Sequence, residues 1–422
     1  MFRIKRYILL PLSIALSLSA LSRDEDSSDR LIRENPDLEY NEGTDIDIET
    51  TDLTVYPFLD NSKNVITLNG ADWSTLAVSA AETDDRALRI VHIGDSHIQA
   101  DMATGVTRRL LQQHLGSTGR GLISPLKIAG TNEPRDYVFK SNSSFKCEKL
   151  LAHDWTLPMG FTGVSISPED QQFDITISAH EAFERIYLYY TGSSLNIVSA
   201  EYDGSPLICA STEGVSCLEV GLPFPCEEVT LNLSSFGDLA IHGVELASDF
   251  VGVAYHAIGI NGATYSHYNR IPEFGRSISM LEPQLIILSL GTNEAFGKLD
   301  PEAFISALDN VVTELKTANP EACLLLTTPS ECQRRQHRRK KTVFAVNDNV
   351  VRVRNMIINY GKSNNIAVYD WYAAAGGEGS SEKWVDAGLF SRDHIHCSMT
   401  GYEVEGQMFY NALINSFGLS DN

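Results

Sequence analysis

The run Ile93-Gly94-Asp95-Ser96-His97-Ile98-Gln99-Ala100-Asp101 decides how this chain is read. It ends the apolar stretch Leu88–Ile93 and leads into a helix-like segment, Met102–Leu115. A serine just past a buried strand and just before a helix N-terminus is well placed to act as a nucleophile. The strand fixes its side chain, Gly94 relieves crowding at the turn, and free backbone N–H groups face any developing anion. The tripeptide Gly94-Asp95-Ser96 is short enough to occur by chance, so its meaning depends on the rest of the chain. Three more blocks come after it in order: Asn261-Gly262-Ala263, Gly291-Thr292-Asn293-Glu294 and Asp393-His394-Ile395-His396.

These four pieces resemble the signature blocks of the SGNH, or GDSL-type, hydrolase family, in the family's own order. The resemblance covers about 240 of 422 residues, roughly 84–135 and 250–417, with an insertion between. The first and third blocks are most similar to the periplasmic peptidoglycan O-acetylesterases, which also carry a β-rich insertion. Glu294 departs from the general pattern, where Asp is more usual after Asn. That residue is not expected to touch the reacting centre and bears only on the subfamily. The resemblance implies a three-layer α/β/α fold with a parallel sheet, interrupted by a jelly-roll-like β domain of the carbohydrate-binding type.

Acyl transfer needs a nucleophile, a base, a group that orients the base, and donors for the tetrahedral oxyanion. Ser96 is the candidate nucleophile, His396 the base, and Asp393 the group that holds His396 in the right tautomer. Asp and His three positions apart can meet within one turn, so only the alignment against Ser96 is long-range. The candidate oxyanion donors are the Ser96 and Gly262 backbone N–H groups and the Asn293 side-chain amide. Glycine allows close backbone approach, and asparagine supplies an uncharged N–H. Neither a metal nor a cofactor is called for by this set.

Residues Met1–Ser22 read as a secretory signal: Arg3, Lys5 and Arg6 start it, Tyr7–Leu21 form its apolar core, and Ser19-Ala20 supply small residues. The apolar stretch is short for a membrane anchor and contains Pro11, and no cysteine lies near the cleavage site. The expected location is therefore secreted or periplasmic. A net charge of −22 argues against nucleic acid and against anionic membrane surfaces as partners. An O-acetylated glycan substrate is compatible with it. Seven cysteines permit disulfides in an oxidising compartment, and the closely spaced Cys209, Cys217 and Cys226 are candidates for one bridge.

Residues 23–64 read as an acidic, flexible leader, with order starting near Val65 or Trp73. The hydrolase domain is expected over 65–136 and 250–422, and the β-sandwich over 137–249. Within the insertion, short alternating runs separated by turns indicate strands: Gly163–Ser167, Phe173–Ser178, Arg185–Tyr190, Asn196–Tyr202, Ser216–Val220, Glu228–Leu233 and Leu239–Leu246. After it, continuous apolar runs (Gly252–Ile258, Gln284–Leu290, Ala322–Thr327, Ile366–Trp371) alternate with helical patterns (Tyr265–Leu281, Pro301–Thr317, Val346–Asn364, Thr400–Phe417). This is the signature of a parallel sheet covered on both faces, with its site at the carboxyl ends of the strands.

Other chemistries find little support. No Gly-x-Ser-x-Gly elbow and no Walker-type phosphate loop occur, and Glu184 stands where a zincin motif starting at His180-Glu181 needs its second histidine. His97 and His394 read as local packing or hydrogen-bonding residues. The run Gln333–Lys341 holds six Lys/Arg and reads as a solvated loop, or alternatively as a cationic lip for glycan carboxylates. Tyr187, Tyr189, Tyr190 and Tyr202 are either core residues of the insertion or platforms for sugar rings.

Overall fold

The computed structural model describes residues 50–214, 216–338 and 341–420. The predicted signal and the leader up to residue 49 lie outside the described residues. The apolar runs assemble into a six-stranded sheet in the order Ile66–Thr67, Ala367–Tyr369, Cys323–Thr327, Leu285–Ser289, Leu88–Gly94, Val253–Gly259. Five strands are parallel, and only the short edge strand Ile66–Thr67 runs antiparallel. Every residue of Leu88–Gly94 is buried, which is why it reads as an unbroken apolar run. Leu88 and Ile90 join a core with Leu111, Met408 and Phe409 of the helices Ala103–Leu115 and Met399–Phe417. Val91 and Ile93 join the other, with Leu308, Val312 and Ile357 of Pro301–Ala318 and Asp348–Ser363. Alternate residues of one strand thus bury against helices on opposite faces, giving the expected three layers.

The antiparallel β-module lies between the first and second parts of this sheet. Its strands form one hydrogen-bonded network of ten. Two of them are much longer than the sequence suggests: Gln172–Gly192 merges the predicted runs 173–178 and 185–190, and Cys217–Ser235 merges 216–220 and 228–233. The apparent break at Pro223 and Pro225 is a bulge, where the register shifts between Gly221 and Cys226 and again before Glu228. Proline has no N–H to give a ladder, and a bulge is where a strand tolerates that. The module also begins earlier than residue 137, since Gly121–Ile123 pairs with Leu239–Ala247. Tyr189 and Tyr190 are buried, and Tyr202 packs edge-on against Phe224, so these side chains serve the module's packing.

Four other expectations need correction. Order reaches back through the predicted leader at least to residue 50, with Leu59 buried and Asn64 bonded to the Met408 carbonyl and the Tyr369 hydroxyl. The helix expected over 265–281 is broken into Tyr265–Tyr268, Phe274–Ile278 and a 3-10 turn at Ser279–Leu281, because Pro272 cannot continue it. The basic run is no loop: Gln333–Arg338 and Lys341–Val346 pair as an antiparallel hairpin. No disulfide joins any of the seven cysteines among the described residues, so the bridge expected from Cys209, Cys217 and Cys226 is not formed. No helix among the described residues is long and apolar enough to cross a membrane.

Candidate active site

Ser96 opens a four-residue helix, Ser96–Gln99, directly after the central strand. Two glycines allow this helix to sit against the sheet. A Cβ on Gly94 would lie 2.7 Å from the Ser289 carbonyl oxygen, and one on Gly259 would lie 2.1 Å from the Gln99 nitrogen. Asp95 caps the helix, its Oδ1 accepting from the His97 N–H at 3.0 Å. Burial lifts the Asp95 carboxyl to about 6, against the opposing pull of the His97 N–H and of His396.

His396 reaches Ser96 from the far end of the chain, its Nε2 standing 2.8 Å from Ser96 Oγ. Its Nδ1 lies 2.6 Å from Asp393 Oδ2. The second oxygen of Asp393 ties the loop together, accepting from the Ile395 N–H and the His396 N–H at 2.9 Å each and from Ser391 Oγ at 2.7 Å. Burial would raise this carboxyl, but the bonds from His396, Ile395 and Ser391 outweigh it and hold Asp393 below the usual carboxylate range. His394, between them, takes a left-handed backbone (φ 59°) and turns its ring outward onto Phe344, with centroids 3.8 Å apart. Its Nδ1 lies 2.7 Å from Gln333 Oε1. His97 packs beneath His396 (ring centroids 5.0 Å apart) and contacts the Tyr402 hydroxyl at 3.2 Å. Burial, with His396 close by, pushes the His97 imidazole down to about 3, so it stays neutral. Both extra histidines therefore support the loop, as their sequence setting suggests.

Gly262 and Asn293 follow the strands on either side of the central strand that leads to Ser96, on the same rim. Among the described residues, neither the Ser96 N–H nor the Gly262 N–H donates to a protein acceptor. The Asn293 amide differs from expectation, since its nitrogen already donates to Ala263 O at 3.0 Å and to Asp95 Oδ2 at 3.2 Å. A substrate oxyanion would share or displace one of those contacts. Glu294 is half-buried, and its Oε1 accepts the Tyr265 N–H at 2.9 Å, linking the Asn293 helix to the segment after Gly262. Burial raises its carboxyl to about 7.

Sequence reasoning missed the residues that brace this set. Gln99 accepts from the Asn261 N–H at 2.7 Å and donates to Thr131 Oγ1 and to Asn132, while Asn261 Nδ2 meets Asn132 Oδ1 at 2.6 Å. The loop at 131–132 thereby clamps the nucleophile helix to the Gly262 turn. No local pattern marks these contacts, because each spans 30 residues or more. Among the described residues, no group of three or more His, Cys, Asp or Glu side chains is placed to hold a metal ion.

A serine–histidine–aspartate chain of hydrogen bonds at the strand ends of a parallel α/β/α sheet is the arrangement of an ester hydrolase of the SGNH type. Residues 238–404 match the GDSL-like Lipase/Acylhydrolase family, and the chain carries a domain of that family. The match starts in the last strand of the insertion, which separates the Ser96 block from the other three. No curated protein sequence matches the chain. A solved peptidoglycan O-acetylesterase superposes with a TM-score of 0.70 at 20% identity, over 84% of this chain and 99% of the other. That coverage exceeds what the residues outside 137–249 can supply, so the shared fold includes part of the insertion. A lipase/acylhydrolase from Enterococcus faecalis (TM-score 0.31, 18% identity, 39% of this chain and 77% of the other) matches over a smaller part. So does an acetyl xylan esterase (TM-score 0.31, 17% identity, 38% and 82%).

Proposed function

We propose that this chain is an extracytoplasmic serine esterase that removes O-acetyl groups from a carbohydrate polymer, with peptidoglycan as the polymer. The observation that carries the chemistry is the unbroken chain Ser96 Oγ–His396 Nε2–His396 Nδ1–Asp393 Oδ2, with contacts of 2.8 and 2.6 Å. Ser96 Oγ attacks the ester carbonyl carbon while His396 Nε2 takes its proton, and Asp393 stabilises the resulting imidazolium. The Ser96 and Gly262 N–H groups and the Asn293 amide hold the oxyanion. Collapse passes the proton from His396 to the departing sugar hydroxyl and leaves acetyl-Ser96. Water then attacks that ester with His396 again as base, and acetate departs.

The choice of polymer rests on the likeness to the peptidoglycan O-acetylesterase, which extends into the inserted module. The location rests on the signal-like Met1–Ser22. The test is acetate release from a panel of O-acetylated glycans, including peptidoglycan and xylan, with Ser96→Ala as control. Release from peptidoglycan that Ser96→Ala abolishes supports the proposal. Release from xylan alone would reassign the polymer, and release that survives in folded Ser96→Ala would remove the mechanism.

A further inference from the structure

The cationic hairpin is built onto both walls of the candidate active site. At its base the Gln333 N–H donates to the His394 carbonyl at 3.0 Å, and Phe344 stacks on the His394 ring. On its other face, the Arg334 guanidinium lies 5.0 Å over the Phe296 ring and donates to the Ala295 carbonyl, at the end of the helix that carries Asn293. The hairpin thus spans from the loop of the base to the helix of the oxyanion amide.

Register then decides where its charges point. Arg335 pairs across the ladder with Phe344, so the two side chains share one face. Since Phe344 faces His394, Arg335 is an exposed cation on the side turned to the Asp393–His396 loop. Arg392, also exposed, directly precedes Asp393. None of Arg334, Arg335 and Arg392 has a carboxylate partner among the described residues, and Arg334 keeps a buried Nε with no acceptor. Several arginines elsewhere are neutralised, with Arg89, Arg108, Arg120, Arg185 and Arg354 each paired with Asp or Glu, whereas Arg270 and Arg352 bond to neutral oxygens instead. In a chain of net charge −22, arginines without a carboxylate partner at the loop of His396 and at the end of the Asn293 helix are available to an anion from outside.

We infer that Arg334, Arg335 and Arg392 form a cationic rim that holds carboxylates of an acidic glycan strand while one of its O-acetyl groups lies at Ser96. Guanidinium is suited to this because its planar fork matches a carboxylate, and Arg392 lies in the loop that presents His396 while Arg335 shares the hairpin face of Phe344, which stacks on that loop. The sequence continues the theme with Arg338-Arg339-Lys340-Lys341. This inference rests on the esterase reading and specifies its substrate class. The carboxylates have two sources, peptide stems attached to the strand or acid groups on the sugars themselves.

The experiment compares wild type with Arg335→Gln, Arg335→Lys and Arg335→Gln/Arg392→Gln, all checked for folding by thermal melt. Acetate release is measured on O-acetylated strands with stems, on the same strands stripped of stems, on an O-acetylated polyuronate and on a neutral O-acetylated oligosaccharide, across a salt series. The expected result is a fall of about five- to tenfold in the acidic-to-neutral ratio of kcat/KM for the double variant, since several exposed pairs each contribute modestly. Partial rescue by Arg335→Lys and a flattened salt dependence are expected alongside it. A fall confined to stem-bearing strands assigns the carboxylates to peptide, and one confined to the polyuronate assigns them to sugar. An unchanged ratio, or equal losses on acidic and neutral substrates, overturns the inference. So does an unchanged ratio accompanied by lost binding to phosphatidylglycerol vesicles, which would assign the rim to a membrane surface. Absence of acetate release from every substrate by wild type would instead overturn the esterase reading beneath it.

Discussion

Asp393→Asn tests the base-orienting role with nearly no change of shape. The carboxylate accepts four hydrogen bonds, three on Oδ1 (from Ser391 Oγ, Ile395 N–H and His396 N–H) and one on Oδ2 from His396 Nδ1. Asparagine has one acceptor oxygen and one donor nitrogen, so it can satisfy only one side. With the oxygen toward the loop, three bonds survive and the amide N–H meets His396 Nδ1, which must become the acceptor. The imidazole proton then sits on Nε2, pointing at Ser96 Oγ, and His396 can no longer take the serine proton. With the amide reversed, the tautomer is right but the amide hydrogens oppose the Ile395 and His396 N–H groups, and the turn opens. Both orientations fail, and the first keeps the fold. Asp393 is 45% exposed, so solvent limits how much the fold depends on its charge. The expected loss in kcat is about 10⁴-fold, or about 5.5 kcal/mol of barrier, by analogy with the same change in other Ser-His-Asp sites. The assay is hydrolysis of a small acetyl ester under saturating conditions, with circular dichroism to establish folding. A folded variant within tenfold of wild type would refute the assignment of Asp393.

Two further outcomes rest on the same structure. Asn293→Ala is expected to lower kcat by about 10²–10³ with KM little changed, because the amide acts on the transition state; a change in KM alone would make it a binding residue instead. Glu405→Gln tests a buried carboxyl that burial, with Asp95 nearby, lifts from 4.5 to about 8. Folded protein therefore holds this proton over a range where unfolded chain has lost it, so Glu405 weakens the fold progressively as pH rises from about 4.5 towards 8. Glutamine mimics the protonated acid, and should stabilise the protein by about 3 kcal/mol at pH 7 and hardly at all at pH 4. Denaturant melts at the two pH values read this directly, and equal effects at both would dismiss the buried-acid reading.

Sequence reading reaches the four blocks because their chemistry demands particular residue types where strands end. Ser96, Asn293 and the Asp393–His396 pair are the residue types the proposed reaction requires, and Gly94 and Gly259 have no room for a Cβ. The strands beneath them are legible as apolar runs because they are covered on both faces. The features that escape are set by distant partners. Pro223 and Pro225 look like a strand break until the bulge opposite Gln172–Gly192 is seen. Gln333–Lys341 looks solvated until it is seen paired in a hairpin, with Phe344 on His394 and Arg334 over Phe296. Gln99 and Asn132 are ordinary polar residues locally, and only the fold brings both to Asn261.

Long-range contacts also change what the inserted module does. Its strand pattern alone suggests a separable unit that holds polymer while the hydrolase performs chemistry. Asp136, at the module's start, shares two buried arginines with Asp101, five residues after Ser96: Arg108 and Arg120 bond to both carboxylates. Arg270 donates to the carbonyls of Leu150, Ala152 and His153 and stacks on Trp155, fastening that segment to the stretch after Gly262. A Cβ on Gly262 would meet the side chain of Leu151 at 2.9 Å, so the module packs directly against the oxyanion turn, whose left-handed backbone (φ 79°) already favours glycine. One continuous core runs from Val91 and Ile93 of the central strand to Ile241 and Leu246 of the module. Breaking a buried, charge-paired network leaves uncompensated ions, which is costly. Excision of 137–249 would keep Asp101, Arg108, Arg120 and Asp136 but would free the chain on one side of Asp136 and strip the cover of Leu151 from the Gly262 turn. The module therefore packs directly against the Gly262 turn through Leu151 and is tied to the segment after that turn through Arg270.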